Sequence, residues 1–374
     1  MSISKPNKWG SQILNLIYSY QNSTENIAFS SLALSVIVTA VNFGLDAKCY
    51  KERNKFWKED LKDIYTSNPW KNQNIASISI SRRNILEDVL KMNSALFFSG
   101  FTLEAYCKMF KSIFNLEHKN VNIRNLTGSA LVMNTWVSNR MHGSTTNIFN
   151  ESNLGDRIMV YINTLYVRAA WKLNFNPGLT KPEIFYDDRG MLSNVSMMNQ
   201  ESIFDIYDSP SDFFSILFKN FTNPDIYSAI VLPRDDHTLE DVIEYLNFDR
   251  IYSYFDKAVM KYIKLKLPKF SMVSQNDFMV IRKKSGKECL THLIYEDVKK
   301  IVKDPEIVCN ISQVVNLEIN EIGTDAGSAT EVTVEKSLNQ PQEFYVNRSF
   351  LFLIYSHSTR FVLFSAAVTN PSAS

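Results

Sequence analysis

Little in this sequence is equipped to do covalent chemistry. Its four cysteines, Cys49, Cys107, Cys289 and Cys309, stand far apart, with no C-x-x-C pair and no Cys/His spacing suited to zinc. Free, packed thiols are therefore expected, and no disulfide is assignable. The five histidines (His118, His142, His237, His292, His357) are scattered. There is no G-x-S-x-G elbow, no H-E-x-x-H, no P-loop and no dinucleotide glycine fingerprint after a strand. No catalytic residue, metal site or cofactor follows from such a pattern. Neither charge dominates, because 40 basic side chains face 39 acidic ones for a net +1. That balance gives no global pull toward nucleic acid or an anionic membrane. The local run Arg282, Lys283, Lys284 and Lys287 reads as a solvated loop in preference to a polyanion site. No stretch of about 18 uncharged apolar residues exists, so no membrane span is expected.

A cleavable signal is missing too. "MSISKPNKWGSQILNLIYSY" begins polar and turns amphipathic. Against this stand seven N-x-S/T sequons, at Asn22, Asn125, Asn150, Asn194, Asn220, Asn310 and Asn347. The sequons favour a secreted or extracellular glycoprotein; the missing signal keeps a cytoplasmic one open.

What is present is a chain able to fold. Apolar residues make up 45% and aromatics 13% of 374 residues, ample for a core. The first third reads as helical: "WGSQILNLIYSY" puts Ile13, Leu14, Ile17 and Tyr18 on one face, and "SSLALSVIVTAVNFGL" and "FTLEAYCKMFKSIF" follow suit. The rest reads as sheet. "IMVYINTLYVRAAW" suits a strand buried on both faces, "YSAIVLP" stops at Pro233, and "MKYIKLKLPKF" alternates Ile263, Leu265 and Leu267 with lysines. "HTLEDVIEYLN" predicts a short helix opened by Thr238 and Asp241. "FLFLIYSHSTRFVLFSAAV" predicts a hairpin. With no repeat and no linker, one α+β unit is expected over residues 1–374.

The segment "NEIGTDAGSATEVTVEK", Asn320 to Lys336, is unusual. A small-residue stretch runs directly into a strand pattern. Read at period two, Thr324, Ala326, Ser328, Thr330, Val332 and Val334 form an uncharged set, while the other set carries every acid. Small residues at the start ease entry between existing strands. The periodicity fits equally an ordinary edge strand after a turn.

"EIGTDAGSAT", Glu321 to Thr330, resembles the hinge of inhibitory serpins. "NIAFSSLALS", "NTWVSNRMHGSTTNIF" (Trp136, Val137, Gly143), "INTLYVRAAWKLNF" (Asn163, Tyr166, Arg168, Trp171), "MMNQ", "AIVLP", "LKLPKF", "NRSFLFLIY" and "VTNP" are similar to serpin motifs and stand in the family's order. Departures include Ser31 for a proline, Ala33 for a serine, Gln313 for a histidine and Ser349 for a proline, and residues 48–88 match poorly. The resemblance implies a single serpin domain of three β-sheets and eight or nine helices, with hinge and exposed reactive-centre loop over about 321–345. It implies a monomer that traps an elastase-, chymotrypsin- or trypsin-like serine protease covalently, without being an enzyme and with no cofactor assigned. Glu321, Gly323, Thr324, Ala326, Ser328, Ala329 and Thr330 would form the hinge; Lys336, Ser337 and Leu338 would span the scissile bond. Ser30, Asn163, Trp171 and Gln313 would hold the sheet that opens. A glutamine both donates and accepts, so Gln313 is expected to keep the latch to Asn163. The rival is a non-inhibitory serpin serving as carrier, chaperone or receptor ligand. Such members carry charged or bulky hinge residues or proline, which the uncharged set here lacks.

Overall fold

A computed structural model describes residues 5–21, 25–43, 73–99, 104–122, 125–141, 143, 147–154, 159–278, 309–323 and 340–372. The strands are β1 (Ile27–Phe29), β2 (Leu90–Phe98), β3 (Leu116–Asn120), β4 (Met159–Val167), β5 (Lys181–Tyr186), β6 (Leu192–Asp208), β7 (Phe214–Asn220), β8 (Ile226–Pro233), β9 (Val259–Pro268), β10 (Phe270–Asp277), β11 (Cys309–Ile319), β12 (Gln342–Tyr345), β13 (Phe350–Ser356) and β14 (Val362–Val368). They form a nine-stranded sheet, β1-β14-β13-β8-β7-β6-β9-β12 with β5 on β6, and a five-stranded sheet, β10-β11-β4-β2-β3.

The expected three sheets are therefore two among the described residues, and β6 is the reason. At 17 residues and about 3.3 Å per residue, it is long enough to serve two groups of strands. Its start pairs with β5, its middle with β9 from Met197 to Ile206, and its end with β7 from Asp205 to Asp208. One continuous hydrogen-bonded path results. The expected eight or nine helices are likewise corrected: seven α-helices longer than one turn are described, with Glu151–Leu154 a single turn. One of the seven, Gln73–Glu87, lies in the stretch where the family pattern fades. No described helix is long and apolar enough to cross a membrane.

Local patterns explain most elements. In β9, Ile263, Leu265 and Leu267 are fully buried while the lysines between them are half-buried. Every residue of β13 and β14 is buried, and the two pair as the expected hairpin. The helix Leu239–Tyr245 opens with both bonds of the Thr238–Asp241 capping box. β2 and β3 were not legible in the helical-looking first third, because the short apolar run "ALFF" does not distinguish strand from buried helix.

The chain divides into two compact units interleaved in sequence. One comprises Met1–Leu32, Val167–Ser274 and Asn316–Ser374, the other Ala33–Tyr166 and Gln275–Val315. The first contains the nine-stranded sheet, with Ile13, Leu14, Ile17 and Tyr18 of the helix Lys5–Tyr20 buried. In the second, the helix Leu126–Arg140 packs Ala130, Met133, Trp136 and Val137 against Ala95, Phe97, Val160, Ile162 and Val314. Trp136 meets Phe97 edge-on at 5.8 Å. Its indole N–H donates to Glu117, which also pairs with Arg140 at 2.6 Å.

Candidate functional site

β11 ends at Ile319, and the chain reverses at once. Asn320 and Gly323 exchange N–H···O bonds of 3.1 Å, and Ile322 N–H donates to the Asn320 Oδ1 atom. Gly323 sits at φ 112°, where an added Cβ would lie 2.3 Å from the Ala169 carbonyl oxygen. Glycine is required here on both counts, because L side chains avoid that conformation and there is no space for one.

The segment Trp171 to Phe175 holds this turn from the side. Trp171 N–H donates to Ile322 O at 2.8 Å, Phe175 N–H to Glu321 O at 2.9 Å, and the indole Nε1 of Trp171 to Asn320 O at 3.0 Å. Three successive carbonyls at the root of the loop are thus claimed by one short stretch. Trp171 is buried and stacks on Phe221 with centroids 4.5 Å apart and planes 6° apart. Glu321 anchors its own turn by accepting from Thr180 at 2.9 Å and pairing with Lys269 at 3.2 Å. Burial pushes the Glu321 carboxyl up, but hydrogen bonds from its own backbone N–H, Thr180 and Lys269 outweigh that and leave it below the ordinary value. The tether is therefore ionised at neutral pH.

A second polar cluster lies in the other unit. Gln313 Nε2 donates to Asn163 Oδ1 at 3.0 Å, and Asn163 Nδ2 donates to Ser94 Oγ at 3.0 Å. All three residues are buried. The chain connects β11 to β4 through side-chain amides here, and on β11 the buried Ile311, Val315, Leu317 and Ile319 share the face of Gln313. The buried Ser30 donates its hydroxyl to Leu363 O at 2.6 Å.

Of the site residues read from the sequence, the structure brings Glu321, Gly323 and Trp171 together and pairs Asn163 with Gln313. Thr324, Ala326, Ser328, Ala329, Thr330, Lys336, Ser337 and Leu338 lie outside the described residues. Sequence reading missed Lys269, Thr180, Phe221 and Ser94 as partners. Lys269 stands inside the quoted "LKLPKF", but its partner is 52 positions away, and no local period carries that. Among the described residues the site presents no nucleophile–base pair. What it offers is mechanical: a strand end, a pinned reversal, and a polar latch.

A family model described as Serpin (serine protease inhibitor) matches residues 5–371. Glia-derived nexin of Mus musculus is 26% identical over 371 residues, covering 97% of this chain and 91% of the relative. Antithrombin-III of Bos taurus is 25% identical over 369 residues, covering 94% of this chain and 77% of the relative. Among solved structures, native protease nexin-1 with heparin superposes with a TM-score of 0.80 at 22% identity, covering 99% of both chains. Mouse protein-Z dependent protease inhibitor gives 0.83 at 19% identity, covering 99% of this chain and 97% of that one. At those identities the structural likeness speaks for the fold alone.

Proposed function

This chain belongs to the serpin family, and we propose that it inhibits a serine protease as a suicide substrate. A protease serine Oγ attacks the carbonyl carbon of the scissile residue, forms an acyl ester, and releases the downstream segment as a free amine. The freed hinge then enters the five-stranded sheet between β11 and β4 as an added strand, a known mode of serpin switching. The ester is carried with it, and the protease is distorted before water can cleave the bond. The protein catalyses nothing; the free energy released by insertion does the work.

The observation that carries this reading is the root of the loop. A glycine with no room for a side chain reverses the chain immediately after β11, and hydrogen bonds that are individually small hold the reversal. Such a turn can be undone, letting β11 and the hinge diverge. Insertion also requires the Gln313–Asn163 bond to break, and an added strand supplies new backbone partners in its place.

The protease class turns on which bond is cut. Spacing from Gly323 favours Ser337–Leu338 and a small, elastase-like pocket, whereas charge favours Lys336–Ser337 and an acidic, trypsin-like pocket. We assign trapping to Ser337–Leu338, with Lys336–Ser337 a competing cut. The test is a serine-protease panel with denaturing gels and mass spectrometry of the released peptide. Expected is a complex that survives denaturation, with a new amino terminus at Leu338. A terminus at Ser337 in the stable complex would reverse the assignment. Cleaved product without any complex would point to the carrier class instead.

A further inference from the structure

One charged group in the first unit is buried with no counter-charge among the described residues, and it lies directly behind the loop root. Lys219, on β7, is 2% exposed. Its ammonium donates to the Leu173 carbonyl at 2.7 Å and to Gln200 Oε1. It also lies 4.6 Å from the Phe175 ring centroid, 5.1 Å from that of Trp171 and 5.5 Å from that of Phe204. Gln200 in turn donates to the Asn174 carbonyl at 2.8 Å. The stretch from Trp171 to Phe175 is thus gripped on both sides. Its carbonyls accept from Lys219 and Gln200, while its N–H groups donate to Glu321 and Ile322.

We propose that Lys219 is a positioning residue for loop insertion: by holding Leu173 it fixes the Trp171–Phe175 segment against Asn320–Gly323, and its charge state sets how readily that turn releases. The proposal rests on the inhibitory reading above. An ammonium has three N–H donors. Two meet oxygens, and the third side of the group faces aromatic rings, which attract a cation. The neutral amine keeps two donors but makes weaker bonds than the charged form and loses the ring attraction. Deprotonation therefore loosens the grip.

Among the described residues no ionic neighbour blurs this. Lys172 on the gripped segment is exposed. On β6, Glu201 and Asp205 alternate with Gln200 and Phe204 and point to the opposite face. β8 presents Ser228 opposite Lys219. At the loop root Glu321 is engaged by Lys269 and Thr180, and Glu318 accepts from Asn320. Burial alone acts on the lysine and pushes it down to about 7. The sign for global stability is opposite to that for the grip. The unfolded chain holds this proton more tightly, so stability against unfolding rises with pH from about 7 toward the free-lysine value of about 10.4.

The test compares the unmodified full chain with Lys219→Met, which keeps the apolar stem and removes the donor. Amide hydrogen exchange of Trp171 and Phe175, corrected for the intrinsic pH dependence, is followed from about pH 6 to about pH 8.5. Protection in the unmodified protein should fall about tenfold across that range, and in Lys219→Met it should not change with pH. Peptides from β13 serve as the control and should stay flat in both. The fraction of protease trapped should shift with pH in the unmodified protein alone. Equal pH dependence in both proteins, or none in either, overturns the proposal. Should no protease be trapped at any pH, the inhibitory reading fails, while the exchange result still decides the role of Lys219. Should Lys219→Met not fold, Gln200→Leu replaces it: removing one acceptor should move the exchange midpoint to lower pH, and an unmoved midpoint contradicts the proposal.

Discussion

β13 and β14 present Phe350, Leu351, Phe352, Leu353, Ile354 and Leu363, Phe364, Ala366, Ala367 to their neighbours, nearly all of them fully buried. The core strands of the five-stranded sheet carry Ser94, Asn163, Thr164, Ser312 and Gln313 at comparably buried positions. Both sheets bury apolar side chains, but the second sets a hydrogen-bonded amide pair among them, and the two kinds of contact resist change differently. Burial of large apolar side chains is non-directional and is lost only by exposing area to water. Hydrogen bonds between buried amides are directional and worth about 1 kcal/mol net each, so a new partner can replace an old one at little cost. The first sheet suits a fixed scaffold. The second suits a sheet that is meant to accept another strand.

Substitutions in the two regions should separate accordingly. Leu353→Ala in β13 removes fully buried volume and should cost about 2–5 kcal/mol, seen as a lower urea midpoint with the trapped fraction of protease unchanged. Gly323→Ala forces a side chain into φ 112° and against Ala169 O. A cost of about 1–3 kcal/mol is expected from the backbone conformation alone, with faster hydrogen exchange at Trp171 and Phe175. Gln313→Ala leaves Asn163 Oδ1 without the amide that now meets it, at about 1–3 kcal/mol. Its signature should be faster exchange in β4 and a changed trapped fraction, larger relative to its stability loss than for Leu353→Ala. The contrast between the sheets collapses if Leu353→Ala alters trapping and Gln313→Ala does not.

The smallest effect belongs to the loop-root ion pair. Lys269 is 44% exposed at its side chain, so Lys269→Ala should cost below about 1 kcal/mol. Its pH profile is more telling. Because the Glu321 carboxyl is lowered in the folded protein, its contribution is complete above about pH 4.3 and is lost as pH falls further through the folded value. The urea midpoints of Lys269→Ala and the unmodified chain should therefore converge in acid. A difference that stays constant there would place the stabilisation elsewhere.

Much of this was legible in local pattern. The alternation of β9, the all-apolar β13 and β14, and the Thr238–Asp241 cap each depend on neighbours within a few positions. Asn163, Trp171, Gln313, Glu321 and Gly323 were found through family resemblance rather than through chemistry. What stayed hidden depends on distant partners. Lys219 follows "SILF" and reads locally as the polar exit of a strand, yet Leu173 and Gln200, 46 and 19 positions away, enclose it. The merging of two sheets through β6 was equally invisible, since nothing in a strand's composition states how many partners its length will reach.

The central claim is that the five-stranded sheet has room, energetically, for one more strand drawn from its own loop. Calorimetry before and after a single verified cut between Lys336 and Leu338 tests this most directly. Insertion would satisfy the backbone from Thr324 to Val334 and bury Val332 and Val334, at about 1.5–3 kcal/mol for each valine. The cut protein should melt higher by roughly tens of degrees, since a few kcal/mol already move a large domain by several degrees. An unchanged or lower melting temperature would mean that the strand does not enter the sheet.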